Sequence, residues 1–115
     1  MKSLLIKSAT KEDLEKVILI NAIGLVEALN KNLITIEEAE KVLFSPYMME
    51  QLESINVSKP VLEVIHLGTE LEDVNSIIPD KLAESLAEIK EKSMDLLEKR
   101  KAHIIEDRVI NSETK

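Results

Sequence analysis

Apolar side chains recur at helical spacing along most of this chain, and nearly every run follows a residue that starts helices. Thr10 opens the run TKED, in which Thr10 and Asp13 are spaced to satisfy the free N–H groups of a first turn. Leu14, Val17, Ile18, Leu25 and Leu29 follow on one face, widened by Ile20, Ile23 and Val26, so this helix is expected to be the most central. It should end near Asn30 and Asn32, since asparagine tolerates a left-handed helix end. Gly24 in its interior costs about 1 kcal/mol relative to alanine, which predicts close approach of another helix there.

Thr35 and Glu38 make a second capping box, with Ile34 set to staple onto Ala39, which predicts a short helix over residues 36–44. Ser45 then caps and Pro46 takes a first helical position, where its missing N–H costs nothing. Met48, Met49, Leu52 and Ile55 follow, and Asn56 stops that helix. Phe44, Tyr47 and the methionines are expected to plug the core at this corner. So short a turn between helices is also the format of a DNA-reading helix-turn-helix, but residues 36–53 carry five acids and one lysine.

Ser58 and Pro60 start the run VLEVIHLG, with Gly68 either ending that helix or lying inside a longer one. Thr69 and Glu72 form a third capping box, which favours a break or kink before LEDVNSII. Pro79 opens the last and, by this reading, longest helix, striped by Leu82, Leu86, Ile89, Met94 and Leu97. Acids lead it (Asp80, Glu84, Glu88) and bases follow (Lys99, Arg100, Lys101), as the helix dipole prefers. Unbroken to Ile110 it would measure about 48 Å at 1.5 Å per residue, too long for such a domain, so a kink, a separate HIIEDRVI segment or a partner is implied. The expected fold is all-α: a compact bundle of about five helices in one domain over residues 1–110, with a long C-terminal helix. Residues 1–9 are read as a frayed lead-in or a minor extended segment, and 111–115 as a disordered tail.

Several chemistries are excluded. There is no cysteine, hence no disulfide, thiolate metal site or cysteine nucleophile. With only Gly24 and Gly68, no phosphate-cradling loop, dinucleotide fingerprint or nucleophile elbow can be built. The longest nearly apolar run, VILINAIGLV, contains Asn21 and is far shorter than the roughly 20 residues a bilayer span needs. MKSLLIKSA lacks the apolar stretch of a secretory signal, so a cytoplasmic location is expected.

One constellation holds metal-ligand residue types. Glu63 and His66 stand at Glu-x-x-His spacing, and Glu70 and Asp73 share their sector if the helix runs through Gly68. That sector lies opposite Val61, Val64, Leu67, Leu71 and Val74, as the wet face of an amphipathic helix would. A carboxylate-bridged di-metal bundle needs a second Glu-x-x-His, which His103 does not supply; His103 reads as a surface residue near a helix end. The expectation is no bound metal or cofactor, no catalysis, and His66 paired with a neighbouring acid.

Charge placement is the more informative feature. Residues 37–73 hold nine acids against Lys41 and Lys59, which accounts for the entire net charge of −7, while the rest of the chain balances. Such a surface repels a phosphate backbone, and Phe44 and Tyr47 are the only aromatic side chains available for base stacking, so no nucleic acid is expected. A basic protein is the expected partner, docked by Glu37, Glu38, Glu40, Glu50, Glu53, Glu70, Glu72 and Asp73. The passages NAIGLVEALNKNLITIEEAEKVLFSP and VIHLGTELEDVNSIIPDKL resemble a family of small bacterial proteins catalogued as of unknown function. The likeness spans roughly residues 18–97; it implies a short helical protein and brings no activity or site residue with it. The reading is a non-enzymatic interaction module, an inhibitor, immunity or adaptor protein. The alternative is a homo-oligomer through the last helix and Ile104, Ile105, Val109 and Ile110; a metal-dependent or acid–base enzyme using Glu63, His66, Glu70 and Asp73 stands third.

Overall fold

Thr10 begins the first helix as expected, its hydroxyl oxygen accepting from the Asp13 amide at 3.1 Å. In the computed structural model, which describes residues 10–106, this helix is α1, Lys11–Asn30. It ends through a reciprocal backbone lock: Asn32 adopts φ 58°, its amide donates to Leu29 O, and the Leu33 amide donates to Ala28 O at 2.9 Å. α2 (Ile36–Val42) carries the complete Thr35–Glu38 capping box. α3 (Pro46–Ser54) starts at Ser45, whose hydroxyl accepts from the Met48 amide. It ends in a second lock of the same kind, with Asn56 at φ 66° and the Val57 amide on Leu52 O. The remaining helices are α4 (Lys59–Thr69), α5 (Leu71–Ile77), a single 3-10 turn at Pro79–Lys81, and α6 (Leu82–Glu98).

The described residues are all helical and compact. α1 lies along α6 as the main axis, α4 packs against both, and α2 and α5 meet each other at one end. The core joins Leu14, Ile18, Leu19, Ala22 and Val26 of α1 to Val61, Val64 and Ile65 of α4 and Leu86 and Ile89 of α6. Full burial of each valine, leucine or isoleucine among them contributes about 1.5–3 kcal/mol. The Glu27–Lys90 ion pair ties α1 to α6 at the surface.

Five expectations need correction. Among the described residues there are six α-helices where about five were expected, since the segment after Ser58 forms two helices, divided at Glu70 and with Gly68 inside the first. The third capping box does not form: Thr69 donates its hydroxyl to His66 O, and α5 begins at Leu71, after Glu70, without a side-chain cap. The close approach is at Gly68, where a Cβ would stand 2.3 Å from the buried Phe44 ring, whereas one on Gly24 would meet nothing within 4 Å. Tyr47 is 67% exposed and does not plug the core as Phe44 does, while Met48 and Met49 pack against it partly buried; Met94, read as part of the last helix's apolar stripe, is half exposed. α1, with 20 residues, is longer than α6 with 17.

α6 does not run on to Ile110. It stops at Glu98, and the chain then turns back on α1, with Ile105 against the core. Arg100 donates to Leu96 O at 2.9 Å, so a base does close the helix end. The expected minor segment in 1–9, the tail, Val109 and Ile110 lie outside the described residues.

Candidate functional site

Two polar systems stand out. The first is internal and was not foreseen. Asp13 and Glu15, on the first turns of α1, are only 2% and 4% exposed. Asp13 Oδ1 lies 2.6 Å from His103 Nε2, and the Lys16 ammonium donates to His103 O. His103 is therefore half-buried against α1 and not a plain surface residue. Glu15 accepts from the Ser58 amide at 2.7 Å and from Arg100 at 3.0 Å. Burial alone would raise the Glu15 pKa, but the Ser58 amide, the Arg100 and Ser58 side-chain hydrogen bonds and the Arg100 charge outweigh it and hold it below 4.5. These contacts join segments from 43 to 90 residues apart in sequence, which periodicity along the chain cannot reveal.

The second system is the acidic surface. Of the eight carboxylates expected to dock a partner, Glu37, Glu38, Glu50, Glu53, Glu70, Glu72 and Asp73 are exposed and Glu40 is half-buried. The capping box fixes α2 so that Glu40 comes up against α5. Partial burial raises the pKa of Glu40 above 4.5, reinforced by its hydrogen bond with Glu72 and by repulsion from Glu72, Glu37 and Asp73. Glu37, Glu40, Glu72 and Asp73 are thus brought together. Nearby compensation is slight: Lys41 reaches Glu37 at 3.9 Å with both side chains about three-quarters exposed, a pair of little energetic consequence.

Glu63, His66, Glu70 and Asp73 all lie exposed along α4 and α5. His66 Nε2 stands 3.3 Å from Glu70 Oε2, but among the described residues no three His, Asp or Glu side chains converge to hold a metal ion. No helix among those residues is long and apolar enough to cross a membrane.

Beside the carboxylate cluster is a concavity of about 530 Å³ between the end of α1, α2, α5 and α6. Leu29, Leu33, Ile34, Leu82 and Leu86 supply apolar lining, and Glu38 and Glu72 line it as well. Sequence reading missed it, because it is made by four elements meeting; the only local signal was Leu33, an apolar residue left over between α1 and the cap of α2.

With this geometry in hand, residues 9–111 match a family model described as Protein of unknown function (DUF3969). The chain belongs to this family. The match takes in every element of the DUF3969 helical bundle from Thr10 onward, including the segment after α6. No curated protein and no solved structure matches the chain.

Proposed function

We propose that this DUF3969 protein is a non-enzymatic interaction module whose acidic surface docks a basic partner protein. The observation that carries the reading is the gathering of Glu37, Glu40, Glu72 and Asp73, where partial burial of Glu40, its hydrogen bond with Glu72 and then repulsion among these carboxylates hold the Glu40 pKa above 4.5. Like charges gathered at a surface cost folded stability, and a cationic partner offsets that cost when it binds. An inhibitor, immunity or adaptor role in the cytoplasm is consistent with such a surface.

Two other readings have less support. A homo-oligomer through the last helix was motivated by its excess length, yet α6 stops at Glu98 and Ile105 packs on its own core. An enzyme built on Glu63, His66, Glu70 and Asp73 would need those groups gathered in a concavity, whereas they spread along an exposed face.

The test is affinity capture from the native host, with partners identified by mass spectrometry, at low and moderate salt. The wild-type chain is expected to retain a basic protein that added salt releases. A variant carrying Glu37→Gln, Glu40→Gln, Glu72→Gln and Asp73→Asn is expected to lose it. Capture of the same protein by both, unaffected by salt, would refute the electrostatic reading.

A further inference from the structure

The concavity beside the carboxylate cluster differs from an ordinary surface dimple in three ways. Its lining combines apolar side chains from α1, α2 and α6 with two carboxylates, Glu38 and Glu72, and among the described residues includes no lysine, arginine or histidine. Its volume of about 530 Å³ lies in the range that holds a few anchoring side chains of a bound segment. Leu33, one of its lining residues, is held out in water by the backbone.

The third point follows from comparing the two helix-end locks. In this motif the apolar residue after the left-handed position normally covers the last turn of its helix. Val57 does so after α3: it is buried, as is Leu52, whose carbonyl it bonds. Leu33 occupies the same position after α1, with its amide equally fixed on Ala28 O, yet it remains 74% exposed. An apolar side chain carried in water on a backbone already fixed beside an apolar concavity needs less ordering to bind, which lowers the cost of association.

We infer that this concavity is the docking groove for a basic amphipathic segment of the partner protein, which sets apolar side chains against Leu33, Ile34 and Leu82 and lysine or arginine beside Glu38 and Glu72. This inference rests on the proposed function and specifies where on the acidic surface the partner sits. Charge complementarity selects the occupant: Glu72 belongs both to the groove and to the carboxylate cluster. A purely apolar occupant would partly desolvate those carboxylates and leave Glu72 without a cation to offset its charge.

The experiment uses the full chain, isotopically labelled for amide chemical-shift mapping, and two synthetic peptides. One alternates leucine and lysine at the helical period; the other keeps every lysine and replaces leucine with serine. The leucine–lysine peptide is expected to bind roughly tenfold more tightly and to shift the amides of Leu33, Ile36, Ser76 and Leu82. Leu33→Ser, at an exposed position, is expected to bring its affinity down to that of the serine peptide without altering the serine peptide's own binding. Glu72→Gln is expected to weaken both. Equal binding of the two peptides, or shifts mapping to α3 and the exposed face of α4, would overturn the groove while leaving the acidic surface standing. Absence of binding by either peptide would overturn both readings. Concentration-dependent light scattering abolished by Leu33→Ser would show that a second copy fills the groove, which also overturns the inference.

Discussion

At the scale of single residues, the two glycines make opposite demands although both lie within helices. Gly24 faces water, so Gly24→Ala is expected to raise stability by about 1 kcal/mol, the ordinary helix-propensity gain. Gly68 lies under Phe44, where a Cβ would need the buried ring to move, and Gly68→Ala is expected to destabilise by about 1–3 kcal/mol; paired thermal melts test both. Ser93 is fully buried, and its hydroxyl finds no partner among the described residues. Ser93→Ala should therefore stabilise the fold by about 1 kcal/mol, measurable by urea unfolding. The sequence reading assigned the close approach to Gly24 because it weighed glycine's cost without its face. Gly68 follows Val61 by seven residues and Ile65 by three, on the buried stripe of α4, whereas Gly24 falls opposite Ala22 and Val26. That information was present in the periodicity.

At the scale of elements, the capped starts of α1, α2 and α3 and the two asparagine ends are local devices, and they were legible because the chemistry that makes them lies within a few residues; the expected cap of α5 did not form. The end of α6 was not legible. No glycine, asparagine or proline marks it; Arg100 and His103, bound to Glu15 and Asp13 of α1, turn the chain back there. Arg100→Ala is expected to cost about 2–3 kcal/mol, less than a wholly buried pair because Arg100 is partly exposed. The same contacts set a pH dependence. The folded-state pKa of Glu15 is depressed, so its contribution is complete above its ordinary value of about 4.5 and is lost as pH falls through the lower folded value. Glu15→Gln should lower stability at neutral pH and flatten the acid limb of the stability curve, as followed by denaturant titrations from neutral to acid pH.

At the scale of the whole molecule, the middle third of the chain carries the net charge and the folded chain exposes it. The charge imbalance could be read from sequence, because it is a count. The meeting of Glu40 with Glu72 across α2 and α5, and the groove beside them, could not, because they depend on how the helices cross. Glu40 has its pKa raised in the folded state, so it opposes folding at neutral pH, and this penalty is relieved as pH falls through the raised value. Glu40→Gln is thus expected to raise the melting temperature at pH 7 and to lose that advantage near pH 4.5. The same carboxylates should speed encounter with a basic partner through their long-range field. The decisive measurement is the association rate constant with the captured partner, followed by stopped-flow fluorescence over a series of ionic strengths. The account predicts a rate that falls steeply with added salt, and a slower, flatter dependence for the variant with the four cluster carboxylates neutralised. A rate indifferent to salt, and equal in wild type and variant, would contradict it.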